Sequence, residues 1–299
     1  MSQYPYAAPP FRKRRPLLFV FLCLLLLGLL FAAASAVFGA LAERGAFSGP
    51  RLGVIKVEGF IGDAERTVRW IERLRRDKTV AGALVRVDSP GGAVAPSQEV
   101  FSALQRLAKE KPVVVSMGTA AASGGYYIAV AGREIFANPS TLTGSIGVRL
   151  QLTNVQGLME RLGVSSESLT TGKFKATGSP FQAMTPEERA YLQGILADMQ
   201  EEFVNAVAVG RSLPREAVTA IADGRVLTGR QALAAKLVDH LGDREAALAR
   251  LQTLCSLEGE AELLLEPERS KPWWKLLLEA AMDLEAGGST DAARYMFCY

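Results

Sequence analysis

The sequence predicts an α/β fold, in which helices cover a layer of mainly parallel strands, preceded by one N-terminal transmembrane helix. Two observations lead to this prediction. Short apolar runs alternate with amphipathic helical patterns between about residues 52 and 150, as in parallel sheets whose strands are joined by helices. Before them, a long apolar segment carries no charge. The 299 residues are enough for about two domains at most, with a sizeable buried core.

The apolar segment runs from Leu17 to Ala42 and is long enough to span a bilayer of about 30 Å. Four basic residues at 12–15 precede it, whereas only Glu43 and Arg44 follow it closely. By the positive-inside rule, we expect a single-pass protein of the cytoplasmic membrane, with a cytoplasmic N-terminus and everything after residue 42 outside the cytoplasm. A cleaved signal peptide is the alternative, because residues 32–36 are small enough for a signal peptidase.

The chain is therefore predicted to consist of five parts. Residues 1–15 form a cytoplasmic tail, 16–42 the transmembrane anchor and 43–50 a linker. Residues 51–255 form the α/β domain, and 256–299 form a helical extension and tail.

Charge and cysteine content exclude several classes of partner. The formal net charge is +3, and the basic run at 12–15 accounts for more than all of it, so the exported part is nearly neutral. A neutral domain argues against nucleic acid as a partner. The three cysteines, Cys23, Cys255 and Cys298, have no zinc-ligand spacing, and we expect no metal and no cofactor. In an oxidising compartment, a disulfide bond between Cys255 and Cys298 is one alternative, which two separated cysteines do not establish.

Strands and helices are predicted in order along the first half of the domain. Residues 52–57 form an alternating apolar run that is typical of a strand. Residues 64–76 carry apolar side chains at helical spacing between charges, which predicts a helix with one solvated face. A second strand is predicted at 83–87. The helix after it has four apolar residues on one side, namely Val100, Phe101, Leu104 and Leu107.

The second half continues the same alternation less regularly. Short apolar runs predict strands at 113–115, 135–137 and 145–148. Apolar residues at four-residue steps predict a long amphipathic helix over 185–209, and a further helix is expected at roughly 228–237.

The C-terminal extension, residues 256–299, does not continue the alternation of strands and helices. Residues 260–282 contain leucine and tryptophan runs, and we interpret them as a helix that packs between subunits or in the core, with a helix on the membrane surface as the alternative. The apolar residues 295–299 suggest the hypothesis that the end of the chain docks in a neighbouring subunit's groove.

One serine lies in a segment made almost entirely of small residues. Ser123 follows a predicted strand and precedes an apolar helix-like run, and its neighbours are nearly all Ala or Gly. Small residues let a substrate backbone approach closely, and a helix start offers free N–H groups to a developing oxyanion. A packed turn with an incidental serine fits the same pattern, so the motif alone does not establish a nucleophile.

A serine nucleophile needs a base to accept its proton. The single histidine, His240, lies in what we interpret as the turn after a helix, which favours a structural role and leaves a Ser-His-Asp triad as a weaker alternative. Ser-Lys pairs recur on unrelated folds. Lys175, with Lys173 beside it, lies in a loop rich in glycine and small residues, although solvated loop charges show the same pattern. Burial against apolar groups lowers the pKa of a lysine and so favours the neutral base.

Three motifs together resemble the signal peptide peptidase A family. They are Asp88-Ser89-Pro90-Gly91-Gly92, the run from Gly118 to Tyr127, and the run from Thr143 to Val148. The resemblance covers roughly residues 51–245, and the length is similar to that of the short bacterial form. Members of this family are membrane-bound serine proteases with a Ser-Lys dyad, on the fold shared with the Clp protease and crotonases.

Position by position, the resemblance implies roles for five residues. Ser123 matches the family nucleophile, Lys175 the general base, and Ser145 the serine that hydrogen-bonds to that lysine. Backbone N–H groups of Gly92 and Gly124 would form the oxyanion hole.

The resemblance also implies a function and partners. We expect a membrane-anchored serine endopeptidase that degrades released signal peptides within their apolar segment, and a ring-shaped homo-oligomer, octameric in the short form, with substrate grooves shared by neighbours. The alternatives are a related membrane protease specific for one membrane protein's apolar segment and an inactive membrane scaffold of the same fold. An acyl-CoA enzyme of this fold is a third alternative, which the anchor and the exported topology disfavour.

Overall fold

The computed structural model describes residues 16–43, 51–259 and 261–267. The predicted cytoplasmic tail, residues 44–50 of the linker, Cys298 and the chain beyond residue 267 lie outside the described residues. The segment of the predicted anchor is helical, as helix α1 Pro16–Glu43. Some residues of α1 are not described beyond their helical backbone. Among the residues that are fully described, no helix is long and apolar enough to cross a membrane. The anchor therefore stays a prediction.

Strands and helices alternate through the domain as predicted. The strands are β1 Arg51–Ile61, β2 Val80–Gly92, β3 Val113–Ala122, β4 Glu134–Ala137, β5 Leu142–Gly144, β6 Val226–Thr228, β7 His240–Leu241 and β8 Glu262–Leu264. After α1, the helices are α2 Glu65–Arg76, α3 Val94–Ala108, α4 Gly124–Ala129, α5 Gln156–Arg161, α6 Pro186–Arg211, α7 Arg215–Thr219, α8 Gly229–Ala234 and α9 Arg244–Leu254.

The strands form one mixed sheet of mostly parallel strands. Its order is β6-β5-β3-β2-β1-β8, and β4 pairs with the first half of β3 and with β7. All described pairs are parallel except β5 with β6. The α/β prediction is therefore confirmed.

Both faces of the sheet are covered by apolar side chains. On one face, Val85 and Val87 of β2 share a core with α2, α3 and α4. On the other face, Leu84 and Val114 pack against Ala247 and Leu251 of α9. Burying one such Leu or Val side chain stabilises the fold by about 1.5–3 kcal/mol, so the sheet is a rigid platform for whatever lies at its edges.

Strands β2 and β3 run further than the sequence predicts. Their last residues are small or polar, yet each finds a parallel neighbour: Ser89 lies opposite Ala121, and Ala122 lies opposite Gly144. Gly92, the last residue of β2, lies opposite Ile61. The extra pairing brings the glycines after Pro90 to the same sheet edge as the end of β3.

The strand predicted at 145–148 is wrong. Strand β5 instead covers 142–144 and ends where Gly144 and Ser145 adopt φ values of +73° and +49°. An extended strand does not accommodate left-handed residues, so the chain leaves the sheet at this point.

The helix predicted over 260–282 is also wrong at its start. Residues 262–264 form β8, which pairs in parallel with Arg51, Leu52 and Gly53 of β1. The sheet thus includes residues beyond position 255, where we predicted the α/β domain to end.

A buried polar network fastens the segment after α8 to the core. The Arg211 side chain is 6% exposed, and its Nη2 donates to Asp239 Oδ1 at 2.6 Å. The other oxygen of Asp239 accepts from the Ile135 backbone N–H at 2.8 Å. The Tyr126 hydroxyl donates to the Leu237 carbonyl at 2.8 Å, and complete burial raises the pKa of Tyr126. The network therefore joins α4, α6 and β4.

We predict that Asp239→Ala destabilises the protein by about 3–5 kcal/mol, because it leaves the Arg211 guanidinium buried without its counter-charge. Equilibrium urea unfolding measures this loss. The matched control is Asp243→Ala, which removes the side-chain cap that accepts from Ala246 N–H at the start of α9 and should cost about 1 kcal/mol. Equal losses in the two variants would contradict the importance of the buried pair.

Candidate active site

Ser123 occupies a strained turn between β3 and α4. Its backbone has φ 51° and ψ −121°, a conformation that non-glycine residues rarely adopt. The Ser123 N–H donates to the Gly144 carbonyl at 2.9 Å, and the Ser123 carbonyl accepts from Tyr127 N–H at 2.9 Å. Strained strand-to-helix turns of this kind present nucleophilic serines in other hydrolases.

Glycines pack against this turn where no larger residue fits. Gly91 has φ +106°, and a Cβ added to it would lie 2.8 Å from Ser123 Cβ and 2.9 Å from Gly124 N. A Cβ added to Gly124 would lie 3.4 Å from Gly92 N. The backbone of Gly92 and the start of α4 are therefore close neighbours beside Ser123.

Ser145 lies next to Ser123 at the same edge. Ala122 and Gly144 are paired residues of β3 and β5, so the two serines directly follow neighbouring positions on parallel strands. The Ser145 N–H donates to the Arg225 carbonyl at 2.8 Å, which holds its left-handed backbone. Both serines line one cleft.

Two cavities adjoin Ser123. The larger is an open cleft of about 1940 Å³ between the ends of β1 and β2 and helix α6. The smaller is a pocket of about 350 Å³ whose walls are mainly apolar, and it is lined by Gly92, Val94, Ser97, Gln98, Ser123, Gly124, Tyr127, Gly147, Val148, Met199 and Phe203. Crevices outside the carboxyl ends of parallel strands are the usual ligand sites of open α/β sheets.

Lys175 does not join this group within one chain. Its side chain is exposed, and it lines neither of the two cavities beside Ser123. Its loop is held on α6, because the Phe174 ring stacks on Tyr191 with centroids 4.7 Å apart. The neighbouring Lys173 pairs with Glu187 of α6 at 2.6 Å. The structure therefore brings Ser123, Ser145, Gly92 and Gly124 together and leaves Lys175 apart from the cleft lining.

The loop belongs to an arm with many exposed apolar side chains. We define the arm as residues 149–198, which include α5 and the first half of α6. The buried apolar residues of α6 are Phe203, Val204 and Val207, all in its second half. The exposed apolar residues of the arm are Leu150, Leu152, Leu158, Leu162, Val164, Leu169, Phe174, Phe181, Tyr191 and Ile195. Contiguous exposed apolar surface is typical of protein–protein contacts.

His240 has a structural partner away from the cleft. It lies in β7, not in the predicted turn, and its Nε2 is 3.0 Å from Glu134 Oε2. Arg250 also donates to Glu134, and its hydrogen bonds, followed by that of His240, lower the pKa of this carboxyl. The histidine does not line either cavity beside Ser123.

Two residues that line the cleft were not predicted from the sequence. Gln200 of α6 donates to the Ala222 carbonyl at 2.9 Å and lines the cleft. Asp223 lines it too, and hydrogen bonds from Arg225 lower the pKa of this carboxyl to about 2. A residue such as Gln200 has no sequence signal, because only the crossing of α6 over the sheet edge brings it there. Within the described residues, no group of His, Cys, Asp or Glu side chains is arranged to hold a metal ion.

Comparison with known proteins agrees with this geometry. Residues 105–258 match the model of Peptidase family S49. A protein of Synechocystis sp. named as a protease is 41% identical over 73% of this chain and 79% of its own. A protein of Enterococcus faecium named as signal peptide peptidase SppA is 38% identical over 61% of this chain, and Protease 4 of Salmonella typhi is 37% identical over 71%. The matches span 53% and 36% of those two relatives.

The sheet edge, whose serine lines the cleft, and the matching relatives define a serine protease. The chain belongs to peptidase family S49. This membership is consistent with the resemblance to signal peptide peptidase A that the sequence motifs indicate.

We predict that Gly91→Ala lowers kcat/KM on a peptide substrate by at least about 10²-fold, because the new Cβ displaces Ser123 and the Gly124 amide. The control is Gly157→Ala, where an added Cβ meets nothing within 4 Å and φ is not positive. Thermal unfolding checks that both variants are folded. A folded Gly91→Ala protein with wild-type activity would show that the close contact with Ser123 has no catalytic role.

Proposed function

We propose that this chain is a membrane-anchored serine endopeptidase that cuts apolar peptides, among them signal peptides released from preproteins, with Ser123 as its nucleophile. The observation that carries the proposal is the strained Ser123 turn, which lies beside two glycine amides and an apolar pocket. The uncharged segment 17–42 behind a basic run supports anchoring in the cytoplasmic membrane, with the protease domain outside the cytoplasm. A relation of the fold to the Clp protease and crotonases is part of the same proposal.

Each residue at the sheet edge has a role in the proposed reaction. The Ser123 hydroxyl attacks the peptide carbonyl carbon and gives its proton to a neutral amine. The N–H groups of Gly92 and Gly124 stabilise the oxyanion. The intermediate then collapses: the peptide C–N bond breaks, and the protonated amine returns the proton to the leaving nitrogen. Water, deprotonated by the same amine, finally hydrolyses the acyl-enzyme.

The amine is that of Lys175, and we propose that it comes from a neighbouring copy of the chain. Lys175 is exposed in the isolated chain and lies outside the lining of both Ser123 cavities. The arm that carries it has an apolar surface suited to contact with another subunit. Docking would remove a lysine from water, which favours the neutral form that a base requires. Ser145, next to Ser123, would then hydrogen-bond to the incoming amine. The expected ring-shaped homo-oligomer supplies such a neighbour.

We predict that Ser123→Ala and Lys175→Ala each lower kcat by at least about 10³-fold, whereas Lys173→Ala keeps most of the activity, because Lys173 is engaged with Glu187. Cleavage of a fluorogenic apolar peptide by each full-length variant measures this. Wild-type turnover by Ser123→Ala or Lys175→Ala would eliminate the dyad, and would favour a scaffold or another base.

Mixing the two inactive variants tests where the lysine comes from. If a site takes Ser123 from one copy and Lys175 from its neighbour, dissociation and random reassembly restore about one quarter of wild-type activity, since that fraction of sites is complete. No recovery in verified mixed oligomers would mean that the loop 171–178 delivers Lys175 within its own chain.

The small pocket supports apolar peptides as the substrate class. Val94, Val148, Met199 and Phe203 are among its apolar lining residues, and Ser123 lines it as well. Its apolar walls favour an aliphatic side chain over a polar one. Signal peptides contain runs of such residues, which is why their apolar segment is the proposed cleavage region.

We predict a preference for leucine over alanine at the residue whose side chain enters this pocket, with kcat/KM at least about tenfold higher. Met199→Lys should reverse the preference toward acidic residues, because it places a cation in the pocket wall. Val209→Lys, at a 75% exposed position of the same helix, is the control and should leave the preference unchanged. A peptide library with one varied position reads out both. Identical profiles for the wild type and Met199→Lys would rule out this pocket as the specificity site.

A further inference from the structure

A strongly basic surface lies on the side of the domain formed by α2, the residues just after it and the C-terminal end of α3. We call it the α2–α3 basic surface, and define it by its exposed cationic residues, which are Arg66, Arg69, Arg73, Arg76, Lys78, Arg106 and Lys109. None of these residues lines the cavities beside Ser123.

The charge on this side is far from the average of the chain. Arg51 and the segments 65–79 and 105–111 together carry ten basic and four acidic side chains. The whole chain has a formal net charge of only +3, to which residues 12–15 alone contribute four cations. The rest of residues 51–255 carries 15 basic and 17 acidic side chains and is nearly neutral, so the excess of positive charge is concentrated in one place.

The geometry of α2 separates its cations from its core contacts. Arg66, Arg69, Arg73 and Arg76 follow one another at intervals of three or four residues, so they share one face of the helix. The buried residues of α2 are Trp70, Ile71 and Leu74, on the other side. The arginine row consequently points away from the sheet.

The few acidic groups nearby are already occupied. Glu72 accepts from Arg75 and Arg106 at 2.9 and 2.8 Å, and Glu110 accepts from Arg75 at 2.5 Å. The hydrogen bond from Arg106, followed by that from Arg75, lowers the pKa of Glu72. The contacts of Glu72 and Glu110 also connect α2 to α3. Among the described residues, no acidic side chain pairs with Arg73, Arg76, Lys78 or Lys109, so these four cations are available to an anionic partner.

The basic surface lies where the chain arrives from the predicted anchor. Arg51, the first described residue of the domain, donates to Thr79 Oγ1 at 2.6 Å and lies 3.7 Å from Asp77. Both residues lie within three positions of the end of α2. Seven residues, 44–50, separate Arg51 from α1, and even an extended chain of this length spans only about 28 Å. The end of α2 is therefore tethered close to any membrane that holds α1.

We propose that the α2–α3 basic surface binds the anionic phospholipid headgroups of the membrane that anchors the chain. The inference rests on the membrane anchoring in the proposed function. Guanidinium groups match phosphate geometry with two parallel hydrogen bonds, and polybasic surfaces bind anionic bilayers cooperatively with a neighbouring anchor. Tethering makes the contact intramolecular, so even weak headgroup binding is effective.

The contact orients the protease. Strand β2 starts at Val80, next to the basic surface, and ends at Gly92 beside Ser123. Thirteen residues of strand span about 40 Å. The docked domain therefore holds its cleft on the side away from the bilayer, and changes to the basic surface leave cleavage of soluble peptides unaffected.

The test uses the full chain in vesicles of phosphatidylcholine alone or with about 30 mol% phosphatidylglycerol. Flotation measures membrane association, and acetylation by a water-soluble reagent, mapped by mass spectrometry, measures exposure of Lys78 and Lys109. Lys56 is the internal control, because it is exposed on the sheet face that α2 and α3 do not cover. We expect Lys78 and Lys109 to react about fivefold more slowly in the anionic vesicles only, with the protection lost at about 0.5 M NaCl.

A charge-reversed pair of variants makes the test specific. Arg73→Glu with Arg76→Glu should abolish the protection, whereas Arg230→Glu with Lys236→Glu, the same charge change outside the basic surface, should preserve it. Peptide cleavage at the wild-type rate checks that both are folded.

The outcomes separate the two proposals. Flotation with both vesicle types and no protection of Lys78 and Lys109 would overturn the lipid contact and leave the anchor intact. Equal protection in neutral vesicles would overturn it as well, in favour of a second protein chain on this surface. Flotation with neither vesicle would refute both proposals. Salt-sensitive flotation with anionic vesicles alone would support the basic surface and refute the anchor.

Discussion

The close approach of Gly91 to Ser123 is the constraint on which the functional edge of this protein depends. A side chain at Gly91 would overlap the serine, its neighbouring amide and the Ala122 carbonyl. The approach requires β2 and β3 to continue as paired strands through residues with little strand preference of their own. Pairing on both sides of β3, with Ser89 and with Gly144, supplies that stability. The strained backbone of Ser123 persists because the sheet around it is rigid.

In the proposed reaction, the general base is the one group that this rigid sheet edge does not supply. Ser123, Ser145 and the two glycine amides belong to adjacent strand ends and need no further organisation. Lys175 belongs to an arm that meets the domain mainly through the second half of α6. If Lys175 comes from a neighbouring copy, as proposed, proteolysis is confined to the assembled enzyme. With the basic surface at the opposite end of β2, assembly and membrane contact would involve different sides of the domain.

Much of the fold could be predicted from the sequence, because apolar periodicity and buried surface agree along β1, α2, β2 and α3. The failures have local physical causes. Residues 145–148 resemble a strand in composition, but two left-handed residues end β5 before them. Residues 262–264 resemble part of a helix in composition, but they form a strand because they pair with the edge of β1. Within the site, Ser123 and Gly92 could be located by motif, whereas Gln200 could not, since its position depends on how α6 crosses the sheet. The exposure of Lys175 could not be predicted from the motif, because catalytic and solvated loop lysines show the same sequence pattern.

Covalent labelling tests the central claim, that Ser123 is the nucleophile, most directly. The assembled full-length protein would be treated with a peptidyl fluorophosphonate that carries a leucine next to the phosphorus, and the modified residue identified by mass spectrometry. The account predicts a single phosphonylated residue, Ser123, with loss of peptidase activity in proportion to labelling. Labelling of a different serine in parallel with loss of activity, while Ser123 stays unmodified, would contradict it.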